Sequence, residues 1–323
     1  MISLKLKGPN SNWWLGVSLV LLSAFLFAGK AVLAKLVYKL APVSVSEILV
    51  LRMAFSLPFY GGMLFWQLQK FKQQTSYGLA ARKQFLPAKW ALPALGLGCL
   101  GYYVSSYLDF WGLQYISAGL ERIILFSYPT WVVVFGWLVF RQKMVMRQGL
   151  ALLLTYAGIA ISYLADVSEQ GNPYVLKGSM LIIGCAITFA WFVLLSGKVI
   201  PQLGPGLFNA VGMLGATAMV FLHYGLLEPS GQNLWQWPAK VYLLMGVMAL
   251  FCTVVPTLLV AVGIQKIGSS NVAIISSIGP VITIVQARYL LGEPFGWLQA
   301  FGTLLVVSGV WWVSKSPAEK QAT

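Results

Sequence analysis

Charge is what this sequence has least of. Only 9% of its 323 residues are charged and just eight are Asp or Glu, whereas soluble domains keep about a quarter of their residues charged so that water wets the surface. With 59% of the chain hydrophobic, an ordinary water-soluble fold is excluded and the outside has to face lipid. Histidine is limited to His223 and cysteine to Cys99, Cys185 and Cys252. The cysteines lie far apart in apolar segments without C-x-x-C spacing, so neither a disulfide framework nor a metal site is expected, and small apolar packing roles are. An integral membrane enzyme would need a nucleophile with a base or clustered ligands, and few residues are there to supply them, which leaves that class the weaker competitor. A G-x-x-x-x-G-K phosphate loop is missing, so a gradient or the solute itself is the expected energy source, and no cofactor is expected. The first apolar run is span-length with no evident cleavage site, and is expected to stay as a span.

What is present is apolar length. A helix needs roughly 20 apolar residues to cross about 30 Å of hydrocarbon with every backbone polar group bonded internally. Ten segments qualify: 14–36, 44–68, 91–113, 117–140, 147–165, 175–197, 205–226, 240–264, 269–291 and 297–314. Trp13, Trp14, Trp90, Trp235, Trp237 and Trp297 fall near their ends, where amphipathic rings prefer the interface. The expected fold is an all-α integral membrane protein with ten transmembrane helices. The net charge of +14 would suit nucleic acid, but the basic residues cluster in alternate loops, as membrane topology requires, and nucleic acid is not an expected partner. With the N-terminus inside, the inner side collects Lys5, Lys7, Lys70, Lys72, Arg82, Lys83, Lys89, Arg141, Lys143, Arg147, Lys198, Lys266, Lys315 and Lys320. The outer edges hold only Lys35, Lys39, Lys177 and Lys240. The positive-inside rule then puts both termini in the cytoplasm.

The chain repeats itself. Pro129 and Pro280, Gly112 and Gly263, Gln114 and Gln265, Gln148 and Gln299, and Gly158 and Gly309 all share one spacing. Near the start of each half a slightly longer spacing relates Gly16 to Gly178, Ala24 to Ala186 and Ala28 to Ala190, the difference being absorbed by the basic loop Lys70–Lys89. The halves are expected at 14–165 and 175–315. Five spans per half is an odd number, so the second copy enters the membrane the other way up, and inverted repeats of this kind mark secondary transporters with a site near the midplane.

In order and spacing these residues resemble the drug/metabolite transporter superfamily, EamA type, over nearly the whole chain. The second half carries Gly263-Ile264-Gln265, Gly279-Pro280, Gly292-Glu293, Gln299, Gly302 and Gly309; the first carries Pro42, Arg52, Pro129, Gln148 and Gly158. Arg141-Gln142 stands where the usual Gly-Glu would be. The resemblance implies two inverted five-helix repeats, and a central cavity lined by the third, fourth, eighth and ninth helices with parts of the first and sixth. It also implies export more often than uptake.

Candidate site residues follow from cost. Proline inside a helix removes one hydrogen bond and clashes with the carbonyl four residues back. Pro129 and Pro280 each lie about 11 residues into a span, some 16 Å at 1.5 Å per residue, near mid-bilayer. With Gly279 they are the candidate hinges about a central cavity, the plain alternative being a packing kink. Polar stripes run beside them: Ser276, Gly279, Thr283 and Gln286 in the ninth span; Tyr102, Ser106 and Asp109 in the third; Thr253 and Thr257 in the eighth; and Tyr128 next to Pro129 in the fourth. Single hydroxyls often only bond helix to helix; the stripes of the third, eighth and ninth spans, flanking a repeated proline, point to a cavity wall. Charges inside spans cost about 2.5–3.5 kcal/mol on insertion scales and usually find partners. Counted along their helices, Lys30, Asp109, Glu121 and Arg122 reach one outer level, so Lys30 or Arg122 is expected to pair with Asp109 or Glu121. Snorkelling of Lys30 and interfacial capping by Glu121-Arg122 are the alternatives.

The expected function is secondary-active transport of a small metabolite by alternating access. An amino acid or a related zwitterionic or anionic solute suits the cationic, tyrosine-rich mouth, with export the expected direction and the bacterial inner membrane the expected location. A proton or counter-solute is a candidate coupling partner. A proton-coupled drug or cation exporter is the alternative, weakened because the middle of the first span reads Ser23-Ala24-Phe25 without an acid.

Overall fold

Helix is the economical way for so apolar a chain to bond its backbone internally, and every regular element described is helical. The computed structural model describes residues 11–76, 88–139, 141, 146–170, 172–227, 234–267, 272, 275, 276 and 278–314. Among the basic residues used for orientation, Lys5, Lys7, Arg82, Lys83, Lys143, Lys315 and Lys320 lie outside the described residues, as do Gln142, Ser269, Ser270 and Asn271.

The order is α1 (Ser11–Leu40), α2 (Val45–Ser76), α3 (Ala88–Gly98), a π turn (Cys99–Val104), α4 (Ser105–Gly112), α5 (Ala118–Leu125), α6 (Tyr128–Leu138) and α7 (Met146–Gln170). There follow α8 (Val175–Leu203), α9 (Pro205–Leu227), α10 (Ala239–Ala249), a second π turn (Leu250–Val254), α11 (Val255–Ile267), α12 (Gly279–Leu291) and α13 (Trp297–Ser314). Among the described residues, seven helices are long and apolar enough to cross a membrane, and Trp297–Trp312 is a shorter apolar helix. The α3–α4 run is not in that set, for it carries Tyr102, Tyr103, Ser105, Ser106 and Asp109; nor is α12, whose regular helix has 13 residues.

Backbone irregularities come in pairs. The two π turns begin at Cys99 and Leu250, which have the same spacing as the two prolines. Each leaves a carbonyl to be met by a hydroxyl five residues on: Ser105 Oγ donates to Leu100 O (3.0 Å) and Thr253 Oγ1 to Met248 O (3.2 Å). The prolines do not kink continuous helices. Pro129 and Pro280 sit in the first turns of α6 and α12, where a missing N–H costs nothing, after breaks at Ser127 and Ile278.

Packing is mutual between the parts. α1 lies against α11 and α12, while α8 lies against α4, α5 and α6; α2 pairs with α9 and α7 with α13. The α7–α13 approach is the tightest backbone contact of this set, because a Cβ on Gly158 would fall 2.5 Å from Gly302 O and one on Gly302 2.6 Å from Gly158 O. The principal core joins Val32, Ile48, Met53, Phe110, Met213 and Met245. Cys99, Cys185 and Cys252 are free thiols.

Candidate functional site: a buried charge cluster between broken helices

α1, α4, α5 and α12 converge on four charged side chains. Lys30, 16% exposed in its side chain, donates to Asp109 Oδ2 at 2.5 Å, and Asp109 itself is fully buried. Of the pairings the sequence allows, the one formed is Lys30 with Asp109. Arg122 turns elsewhere: its Nη2 donates to Phe27 O (2.7 Å) and its Nε to Thr283 Oγ1 (3.0 Å), and the Thr283 hydroxyl in turn donates to Gly279 O (3.1 Å). A guanidinium from α5 is thereby linked through Thr283 to the broken start of α12. Gln286, one turn further, donates from Nε2 to Phe25 O (3.0 Å), and Ser23 Oγ donates to Pro256 O (3.0 Å). Glu121 is 0% exposed, and neither of its carboxyl oxygens meets a donor among the described residues.

The remaining candidates divide. Thr253 is buried and Thr257 half-buried; Thr257 donates to Val254 O (2.7 Å) and lies 3.5 Å from Tyr60 Oη. Tyr102 Oη donates to Asn209 Oδ1 (3.1 Å), and its ring packs on Phe192. Tyr128 is half-buried, edge-on to Phe189 with centroids 5.0 Å apart. Ser106 is half-buried, and its neighbour Ser105 makes the cross-helix bond, to Thr188 (2.8 Å). Ser276 is half-buried just before the break; Gly279 and Pro280 are buried and Pro129 half-buried. Thr283 thus joins the charge cluster directly, whereas Tyr102, Tyr128, Thr253 and Thr257 belong to flanking contacts.

Several neighbours were not singled out from the sequence. Arg52, named above only among the residues that carry the resemblance, stacks on the buried Phe110 ring at 5.1 Å while Lys30 lies 5.7 Å from the same centroid. Its guanidinium also reaches Tyr102 O at 3.5 Å. His223 contacts the Tyr103 hydroxyl through Nδ1 and packs on Tyr107, in keeping with a structural role. Asn209 has no sequence signal of its own.

The Gly-Glu pair also has a physical role. Gly292 adopts a left-handed conformation (φ 70°) that turns the chain, and Glu293 Oε1 and Oε2 then accept from Ala118 N at 3.0 and 3.1 Å, with Gly119 N at 3.4 Å from Oε2. A carboxylate at the start of α5 satisfies orphan N–H groups and complements the helix dipole. Burial pushes the Glu293 carboxyl above its ordinary pKa; the Ala118 and Gly119 N–H groups and Lys35 act against this, and Asp166 adds to it. At the equivalent spacing Arg141 keeps a positive φ of 53° without glycine.

The sequence profile of the EamA-like transporter family matches residues 14–164 and again 176–315. The chain belongs to the EamA-like transporter family. It is therefore a multi-pass membrane transporter and not an enzyme. It is 34% identical over 224 residues to the uncharacterized transporter YcbK of Bacillus subtilis (strain 168), covering 67% of this chain and 71% of that one. A second relative, 24% identical over 235 residues with 68% and 70% coverage, is the S-adenosylmethionine/S-adenosylhomocysteine transporter of Chlamydia trachomatis serovar L2. A solved crystal structure aligns over 92% of this chain and 95% of its own with a TM-score of 0.60 at 14% identity, a likeness of fold alone.

Proposed function

We propose that this member of the family is a secondary-active transporter that exports a small amino-acid-like, zwitterionic or anionic solute across the bacterial inner membrane. The two halves, 14–165 and 175–315, act as inverted five-helix repeats in a ten-span bundle with cytoplasmic termini, and alternate access by rocking about Pro129, Gly279 and Pro280. The observation that carries the reading is the part-buried link from Arg122 through Thr283 to Gly279, beside the Lys30–Asp109 pair. Charge this deep is expensive unless it has work to do. Here one cation is bonded directly to the backbone break that would move. The paired π turns, paired breaks and reciprocal packing of α1 and α8 support the repeat. Lys30, Arg122 and Arg52 offer cationic groups to a solute carboxylate, with Tyr102, Tyr128, Ser106, Thr253, Thr257 and Ser276 as wall. The relative named for S-adenosylmethionine and S-adenosylhomocysteine supports the same solute class, since both compounds carry an α-amino-acid group.

Uptake into proteoliposomes is the test, screened over radiolabelled amino acids, S-adenosylmethionine, organic anions and lipophilic cations, with and without a pH gradient. Saturable uptake of a carboxylate-bearing solute, abolished by Arg122→Gln, is the expected result. Uptake of lipophilic cations alone would overturn the solute class.

A further inference from the structure

Glu121 is the one charged member of the cluster that the Lys30 and Arg122 contacts leave out. It sits in the first turn of α5, 0% exposed, with both carboxyl oxygens lacking a donor among the described residues. Its sequence neighbour Arg122 does not serve it, being committed to Phe27 O and Thr283 Oγ1. Lys30 does not serve it either, being spent on Asp109 Oδ2. What does lie against it is the Asp109 carboxyl, whose Oδ1 is likewise buried without a donor.

Two ionised carboxylates in contact, buried, with three oxygens lacking a hydrogen, would carry both mutual repulsion and an unmet desolvation penalty of several kcal/mol. A single proton removes both costs, because a neutral carboxyl donates to a carboxylate and completes its oxygens. The groups around α5 supply no substitute donor. On α4 it faces Asp109, on α1 Lys30 and on α8 the Cys185 thiol, while its own neighbour Arg122 is held by Phe27 O and by Thr283 of α12. Asp166 of α7 and Glu293 stand at the N-terminal end of α5, where Asp166 Oδ2 accepts from Ser117 N and Glu293 from Ala118 N.

We propose that Glu121 and Asp109 form a proton-binding site, with the proton resident on Glu121 and donated to Asp109, and that this is the coupling site of the transporter. The assignment rests on the transport reading above. A solute carboxylate that draws Lys30 away from Asp109 removes the cation that holds Asp109 ionised, and the proton is then retained between the two carboxyls. Solute anion and proton accordingly travel in the same direction. On release, Lys30 returns to Asp109, the Glu121 proton passes to water on the side of release, and Glu121 takes up a proton again before the next solute binds, so the solute-free protein rests protonated; no electrons move and one proton is transferred per cycle.

Infrared difference spectroscopy of the purified protein in lipid vesicles tests the site without any solute, so its outcome is independent of the transported species. At neutral pH the wild type should show the C=O stretch of a protonated carboxylic acid that moves on transfer to D2O and disappears on alkaline titration. Glu121→Gln, which keeps the shape and a donor, should remove that band, and Glu293→Gln should leave it. Asp109→Asn exchanges the carboxylate acceptor for an amide and should displace the band in frequency, which keeps the test open if Glu121→Gln is poorly folded. A spectrum unchanged by Glu121→Gln, or a Glu121 band that neither exchanges with D2O nor titrates, overturns the proposal.

Discussion

At Ser127 and Ile278 the chain takes nearly the same conformation, φ −73° and ψ −9° against φ −71° and ψ −12°, and at both places a proline follows within the first turn of the next helix. The side chains around the two breaks differ. Before the first stand Glu121 and Arg122 on α5; after the second stand Thr283 and Gln286 on α12, polar but uncharged. The corners beyond differ too: Gly292 turns the chain and Glu293 caps α5, whereas the equivalent corner holds Arg141 in a left-handed conformation. Backbone geometry is shared between the parts and chemistry is not. In the proposed cycle the breaks are the common means of bending, and the charged groups that would feel a solute come from one side.

The sharpest way to break this comparison is to strip charge from the first side. Lys30→Met or Asp109→Asn leaves a buried charge without its partner, which typically costs about 3–5 kcal/mol. Thermal melts in nanodiscs should fall, and uptake should drop more than ten-fold. Next is the bridge between the sides. Arg122→Gln loses charge-assisted bonds worth about 1.5–3 kcal/mol, and Thr283→Val one neutral bond worth about 1 kcal/mol. A double-mutant cycle on uptake should give a coupling energy near the smaller figure, and additive effects would mean that the bridge does not act in transport.

The corners should respond less, and in opposite directions. Glu293→Gln exchanges the carboxylate that accepts from Ala118 and Gly119 N–H for a single amide oxygen, a loss of at most about 1 kcal/mol. It should also flatten the pH dependence of stability. Because burial raises the folded Glu293 pKa above its ordinary 4.5, its contribution to stability is fully present below that value and is lost as pH rises through the folded pKa. Melts from pH 4 to 8 should show this loss in the wild type and not in Glu293→Gln. Arg141→Gly relieves a left-handed non-glycine residue and should raise stability by about 1 kcal/mol.

What could be read from the sequence was whatever has a cost visible in one residue. Long apolar runs announce helices. A lysine and an aspartate inside such runs announce a pair, and Lys30 with Asp109 is that pair. A repeated proline announces a repeated irregularity, although its form, a fresh helix start and not a kink, depends on Ser127 and Ile278, which have no turn signature. The π turns at Cys99 and Leu250 were invisible because a π turn inserts one residue into a helix without needing any particular residue type. Arg122 reaching for Phe27 O, Glu293 capping α5 and Tyr102 bonding Asn209 are tertiary contacts between distant segments, set by how the helices cross. Glu121 was readable as buried; that it is left without a donor follows only from where Arg122 and Lys30 point.

The most direct test of one-sided chemistry is the charge-swapped pair Lys30→Asp with Asp109→Lys. Uptake of the solute identified by the panel should be lost in each single variant and recovered, in substantial part, in the double. Two inactive singles with an equally inactive double, the protein remaining folded by its melting curve, would contradict the account.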